Sequence, residues 1–253
     1  MFGRVENYTN SPEISCGMGI SKYSICITHR NDISTIRQSL DSILNQIDDS
    51  FEVVVVDSRS EDGSLEVLKE YETAGRIRLI VASCNRGRGR QLAFENSTGD
   101  YVIANMDMDD IFAPTLTKML DFYHSNYEGK IIRIFRSPSN GKKLMTSITI
   151  GPRDVISRVG GWRSLSWFED DDLWNRAARL GIFANAEFPI MIRKAKYDNA
   201  QTRVQLPQSY FSRIRHRFVV YRDGARAGVP LQVDLKKFPI FVAARIAALL
   251  PVQ

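Results

Sequence analysis

Gly99-Asp100-Tyr101-Val102-Ile103-Ala104-Asn105-Met106-Asp107-Met108-Asp109-Asp110 is an apolar strand pattern that runs directly into a group of acidic residues. Carboxylates at the end of a buried strand cost desolvation free energy unless positive charge neutralises them, and a divalent cation carrying phosphate oxygens does this well. Asp-x-Asp alone is a weak signal, because acidic surface turns are common. Two earlier apolar runs end in the same way. Ser24-Ile25-Cys26-Ile27 ends in Thr28-His29-Arg30-Asn31, and Glu52-Val53-Val54-Val55-Val56 ends in Asp57-Ser58-Arg59-Ser60. Strand ends far apart in sequence therefore deliver polar groups to one edge of a sheet.

Working outward, strands and helices alternate through the first half. Ile33, Ile36, Leu40, Ile43, Leu44 and Ile47 recur at helical spacing and predict a helix covering one face of the sheet. Val53 to Val56 are consecutive β-branched residues, as expected of a central strand buried on both faces. A second helix is expected after Ser64, with Leu65, Leu68 and Tyr71 inward and Gly75 as its stop. A strand Ile77–Val81, a short helix around Gln91–Ser97 and the strand Tyr101–Asn105 complete the pattern. Repeated βαβ predicts a mostly parallel twisted sheet flanked by helices. Ligands of such sheets bind at the carboxyl ends of the strands, where Thr28, Asp57 and Asp107 fall.

A chain of 253 residues buries a full core and reads as one large α/β domain, or as one domain with an appendage. A membrane span needs about 20 nearly uninterrupted apolar residues. The longest candidate, Phe238 to Val252, is interrupted by Pro239, Arg245 and Pro251. Met1-Phe2-Gly3-Arg4-Val5-Glu6-Asn7 does not read as a secretory signal. The cysteines Cys16, Cys26 and Cys84 are too few and too scattered for a disulfide framework or a zinc site. A cytoplasmic location is expected, with peripheral contact at the inner face of a membrane as a further expectation. The sequons at Asn7 and Asn96 then carry no glycan.

The net charge of +5 is concentrated after Arg193, where Arg203, Arg213, Arg215, Arg217, Arg222, Arg226, Lys236 and Lys237 meet few acids. Such asymmetry suggests an anionic partner or a solvated basic tail. Three fates fit the apolar run Phe238–Leu250: lying in a membrane interface, packing on the catalytic domain, or forming a homodimer contact. Between the third strand and its helix, Asn85-Arg86-Gly87-Arg88-Gly89-Arg90 reads as a phosphate-binding loop, since glycines allow close backbone approach and arginines supply forked donors. It matches neither a P-loop nor a dinucleotide fingerprint.

Taken in order, Thr28-His29-Arg30-Asn31, Asp57-Ser58-Arg59-Ser60-Glu61-Asp62-Gly63-Ser64, the Asn85–Arg90 loop and Asp107-Met108-Asp109-Asp110 resemble the nucleotide-binding segments of family 2 glycosyltransferases of the GT-A fold. Further along, Gly160-Gly161-Trp162 and Trp167-Phe168-Glu169-Asp170-Asp171-Asp172-Leu173-Trp174-Asn175-Arg176 resemble that family's Glu-Asp-x-x-Leu-x-x-Arg segment. The resemblance covers roughly residues 22 to 195. Two positions depart from it: Ser58 stands where many members have a second aspartate, and His29-Arg30 replaces the commoner aromatic before Asn31.

The resemblance implies a GT-A catalytic domain over 22–202, preceded by an extension over 1–21 and followed by a basic and apolar helical appendage over 203–253. It implies donor binding by Thr28, Arg30, Asp57, Arg88, Arg90 and Asp107, a Mn²⁺ or Mg²⁺ ion on Asp107 and Asp109, and Asp170 as catalytic base. Trp162 and Glu169 are acceptor-side candidates. Sugar transfer needs charge stabilisation on the departing diphosphate and a base for the acceptor hydroxyl on the opposite face of the sugar, which inverts the anomeric carbon. The crowding of acids near Trp162, Trp167 and Trp174 favours a raised carboxylate pKa, although acids in a first helical turn also suit the helix dipole. The expected partners are a nucleotide sugar and a glycan or lipid-linked acceptor. A nucleotidyltransferase lacks its usual glycine-rich loop after the first strand here. A non-enzymatic nucleic-acid binder finds support in Tyr210-Phe211-Ser212-Arg213-Ile214-Arg215-His216-Arg217-Phe218 but leaves Asp107, Asp109 and Asp170 without a role, so no nucleic acid is expected.

Overall fold

A computed structural model describes residues 23–136, 147–188, 192–194 and 209–251. The expected 1–21 extension, Cys16, Asn7 and the boundary at 202/203 lie outside the described residues. Strands β1 (Tyr23–His29), β2 (Phe51–Asp57), β3 (Arg78–Val81) and β4 (Tyr101–Ala104) pair in parallel, connected through helices α1 (Ile36–Leu44), α2 (Ser64–Thr73) and α3 (Arg86–Glu95). The chain then forms β5 (Asp110–Phe112), α4 (Leu116–Tyr127), β6 (Ile131–Arg136), β7 (Ser147–Pro152), α5 (Arg153–Val159), α6 (Glu169–Arg179), β8 (Phe183–Phe188) and β9 (Ile192–Lys194). The main sheet has the order β3-β2-β1-β4-β7-β6-β8, and β5 pairs with β9 beside it. Only β7 runs against its neighbours, so the sheet is mixed but mostly parallel.

Both sheet faces are covered, as the unbroken Val53–Val56 run demands. Ile25, Ile27, Val53, Val55 and Ile103 pack beneath α1, α2 and α4, while Cys26, Val54, Val56, Val102 and Ala104 pack beneath α3, α5 and α6. The α1 spacing places Ile36, Leu40, Ile43 and Leu44 in the first of these cores. Truncating Leu40 or Ile43 to alanine there costs about 2–5 kcal/mol. Ile33 does not join them. It is exposed in the turn before α1, where its N–H donates to Asp62 Oδ2.

Helix α3 begins at Arg86 rather than at Gln91, so the arginine-glycine segment is a helical turn and not a loop. Asn85 caps it, its side chain accepting from the Arg88 N–H at 2.9 Å. At the C-terminal end, α7 (Tyr210–Arg226) and α8 (Phe238–Ala248), with a 3₁₀ turn at Leu235–Lys237, form a helical hairpin. Tyr221 meets Phe241 edge-on at 5.6 Å, and Arg226 Nη2 donates to the carbonyls of Ala247 and Leu250.

Candidate active site

The carboxyl edge of the parallel strands carries the acidic turn. Asn105 takes the left-handed conformation, with φ of 68°, directly after β4 and redirects the chain there. Met106 and Met108 are buried in the core, whereas Asp107 and Asp109 stay half-exposed. Carboxylate oxygens of Asp107, Asp109 and buried Asp110 lie within 4.8 Å of one another, a spacing suited to one divalent cation. Helix α1 holds the turn through hydroxyls. Thr35 Oγ1 donates to the Met108 carbonyl at 2.8 Å, Ser39 Oγ donates to the Asp110 carbonyl at 2.5 Å, and Ser42 Oγ accepts from the Phe112 N–H at 3.0 Å. Burial, together with the charges of Asp109, Asp62 and Asp107, pushes Asp32 up to about 6 against the pull of His29. The residues therefore fit a cation: the turn is rigidly held, anionic, and close enough to perturb a neighbouring carboxyl.

Beside it stand the ends of β1 and β2. Asp57 is buried and accepts from His29 Nδ1 at 2.8 Å, from Ser60 Oγ at 2.6 Å and from the Ser60 N–H at 2.8 Å. Burial opposes its charge, but these donors hold the carboxyl below its ordinary range. His29 thus explains its own departure from an aromatic: it orients Asp57. Ser58 Oγ donates to the Cys84 carbonyl at 2.7 Å, so it too is engaged inside the protein. The buried Oγ1 of Thr28 has no hydrogen-bond partner among the described residues and lies against Gly89. Arg30 is exposed just past β1.

The first turn of α3 joins this edge to the rest of the site by close packing. A Cβ on Gly87 would lie 2.1 Å from the Arg163 carbonyl oxygen, and the Gly87 N–H donates to the Leu165 carbonyl at 2.9 Å. These glycines let α3 pack against the 163–165 segment and strand β1, and the N–H groups of Gly87 and Arg88 are already bonded. Both N–H groups thus serve packing and capping of α3. The structure does not bring Arg88 into the site, because its guanidinium reaches along the helix to Glu95 at 3.2 Å. Arg90 is brought in. Buried, it lies 3.1 Å from Asp170 Oδ2 and 3.3 Å from Glu169 Oε1. Burial disfavours its charge, yet Asp170, Glu169 and Asp107 outweigh this and raise its pKa. One guanidinium thus feels both acidic groups.

Helix α6 presents the second group. Phe168, with φ of 60°, makes the turn into it. Asp170 accepts from Trp162 Nε1 at 2.9 Å, which with Arg90 fixes both of its oxygens. Trp162 is buried against Phe94, so it serves Asp170 instead of offering a face to an acceptor. Glu169 is buried as well, and burial plus the Asp170 charge push it up to about 7 against Arg90 and Arg86. Asp172 differs from both. It is buried between Arg163 and Arg176, whose Nε atoms donate to it at 2.8 and 3.0 Å. That pairing removes it from the candidates for proton transfer. Of Glu169, Asp170 and Asp172, Asp170 alone is both engaged and partly open.

Residues 24–195 match the model of glycosyl transferase family 2. The chain belongs to that family. It is similar to a glycosyltransferase, EpsE, of Bacillus subtilis (strain 168), at 26% identity with 88% of this chain and 85% of the relative covered. Poly(ribitol-phosphate) beta-glucosyltransferase of Bacillus spizizenii is 33% identical over 42% of this chain and 18% of its own length. In fold, this glycosyltransferase is similar to S. aureus TarS 1-349 in complex with UDP-GlcNAc, with a TM-score of 0.60 at 18% identity, covering 88% of this chain and 79% of that one. The mannosyltransferase PcManGT of Pyrobaculum calidifontis, solved with GDP-Man and Mn²⁺, gives 0.59 at 18% identity, covering 90% and 70%. The fold is GT-A. Family membership sets aside the nucleotidyltransferase and the non-enzymatic binder.

In this glycosyltransferase several site-forming residues escape a linear reading. Thr35, Ser39 and Ser42 recur at helical spacing on the turn-facing side of α1, and a polar stripe interrupting an amphipathic helix is the signal that reveals them. Asp223, far along the chain, carries no such signal; its place emerges only from the packing of α7.

Proposed function

We propose that this glycosyltransferase transfers a sugar from a nucleoside diphosphate to the hydroxyl of a glycan or lipid-linked acceptor, with inversion at the anomeric carbon. The observation that carries the reading is Arg90, a buried cation under the charge of Asp107 on one side and Asp170 on the other. Asp107 and Asp109 would hold Mn²⁺ or Mg²⁺, with Asp110 behind them, and a bound cation supplies charge stabilisation to the departing diphosphate. Asp170 takes the acceptor proton as the new glycosidic bond forms and the bond to the diphosphate breaks; the electron pair leaves with the diphosphate. Trp162 and Arg90 orient the carboxylate, each holding one of its oxygens. Thr28 and Arg30 are the donor-side candidates that remain available at the end of β1.

The same reading places the acceptor at an anionic membrane surface. No helix of the described residues is long and apolar enough to cross a membrane. Yet α8 turns a stripe of apolar residues outward: Phe238, Val242, Ile246 and Leu249 are all exposed, while Ala244 is buried. Lys236, Arg245 and the exposed Arg213, Arg215 and Arg217 of α7 add positive charge, each near-surface cation being worth about 1 kcal/mol against anionic lipid. An apolar face outward beside basic residues is the pattern of an interfacial helix.

Thermal unfolding with UDP-GlcNAc, GDP-mannose and related nucleotide sugars, each with and without Mn²⁺, tests the donor reading. A stabilisation by one of them that needs the cation is expected, since ligand binding to the native state raises apparent stability. No stabilisation by any member of the panel would refute it. Flotation tests the membrane reading: the protein should bind vesicles of anionic lipid at low salt, and Ile246→Glu with Leu249→Glu should abolish this.

A further inference from the structure

The loop that leads into the catalytic-base helix is tied down from α7, at the far end of the chain. Asp223 is fully buried, and its Oδ2 accepts from the backbone N–H groups of Ser166 at 2.6 Å and Trp167 at 3.2 Å. Its Oδ1 accepts from Arg222 Nε at 3.0 Å. Only Phe168, in its left-handed turn, separates these amides from Glu169 and Asp170. A carboxylate in the last turn of a helix opposes the helix dipole, and a buried carboxylate costs desolvation. The position is therefore unfavourable for α7 alone and is offset only by what Asp223 holds. Around it, Asn175 of α6 donates to the Ala227 carbonyl at 2.8 Å, Arg163 donates to the Arg226 carbonyl at 2.6 Å, and the Trp167 ring meets His216 edge-on at 5.3 Å. Gly224 admits Leu231 so closely that a Cβ there would lie 2.5 Å from its Cδ1.

We infer that Asp223 is a positioning residue for sugar transfer: by clamping the Ser166 and Trp167 amides it fixes the start of α6 and hence the Asp170 carboxylate, making the C-terminal hairpin part of the catalytic apparatus. The inference rests on the reading of Asp170 as base. A displaced base costs rate without costing donor affinity, because among the described residues the donor edge on β1, β2 and β4 makes no hydrogen bond or ion pair with Asp223.

The test compares the full-length protein with Asp223→Asn, Asp223→Ala and Asp170→Asn. Turnover is read as UDP or GDP released from UDP-GlcNAc or GDP-mannose with Mn²⁺, and loop order as amide hydrogen exchange over residues 163–170. In the Asp223 variants exchange at Ser166 and Trp167 should rise at least about tenfold and kcat should fall about ten- to a hundredfold, while the donor KM stays within about twofold. Asp223→Glu keeps the charge on a longer arm and should recover part of both losses, which also guards against a variant that fails to fold. Unchanged exchange, or raised exchange with normal kcat, overturns the inference, as does a parallel loss of donor affinity and kcat. If Asp170→Asn keeps its turnover, the base reading falls and the positioning role with it; if only the Asp223 variants keep theirs, the base reading stands and the clamp is refuted.

Discussion

The two halves of the site are built by different means. The donor half sits on the ends of β1, β2 and β4, and its acidic turn is fastened by α1, the helix that follows β1, through Thr35 and Ser39. The proposed base half sits on α6, and its fastenings come from several elements: Arg90 on α3, Trp162 in the segment between α5 and α6, and Asp223 on α7. The donor half thus follows from the alternation of strands and helices that makes the sheet. The base half depends on side chains drawn from three separate elements.

Breaking the base half at its centre should have the largest effect. Asp170→Asn should leave nucleotide binding nearly intact and lower turnover by on the order of a hundredfold or more, the scale of losing a general base. Initial rates at saturating donor check this. Weakening the donor half at its fastenings should cost less: Ser39→Ala with Thr35→Val removes two hydroxyl bonds to the acidic turn, lowering stability by about 1–3 kcal/mol and Mn²⁺-dependent nucleotide affinity by about tenfold. Chemical denaturation and titration with Mn²⁺ and UDP measure the two losses separately.

The smallest effect is a pH dependence that sharpens the contrast. Burial, and then the Asp170 charge, push Glu169 in the folded protein up to about 7 from the usual value of 4.5. A group raised on folding binds more protons in the native state, so its contribution to stability is complete below the unfolded value and is lost as pH rises through the window from 4.5 to about 7. Glu169→Gln should flatten the fall in stability across that window and be the more stable protein at pH 8, by about 1–3 kcal/mol. Thermal unfolding from pH 4 to pH 8 reads it. An unaltered profile would mean that Glu169 is ionised throughout and fully compensated by Arg90.

The same contrast separates what is legible in the sequence from what is not. Val53–Val56 and the α1 spacing are periodic, so the sheet, its buried faces and the edge bearing Thr28, Asp57 and Asp107 can be read directly. The acidic turn is legible because two other apolar strands end in polar groups at the same edge; Asp-x-Asp alone is a weak signal. In Asn85–Arg90 glycine permits close approach to a phosphate and to another backbone alike, and the Arg163 and Leu165 backbone that Gly87 meets is not legible in the sequence. In Glu169-Asp170-Asp171-Asp172 spelling cannot separate Asp170, held by Arg90 and Trp162, from the ion-paired Asp172, since Arg163 and Arg176 make that distinction in three dimensions. Asp223 lies beyond any local pattern. Long-range partners are what a linear reading lacks.

The central claim is that the donor half is a metal-dependent nucleotide site that works independently of the base. Calorimetric titration of UDP and GDP into the wild type, Asp109→Ala and Asp170→Asn, each in Mn²⁺ and in excess chelator, tests it most directly. The account predicts that Mn²⁺ tightens binding of one nucleotide at least about tenfold in the wild type and in Asp170→Asn, and that Asp109→Ala loses most of this gain. Equal affinity in Mn²⁺ and in chelator for the wild type, or an undiminished metal response in Asp109→Ala, would contradict it.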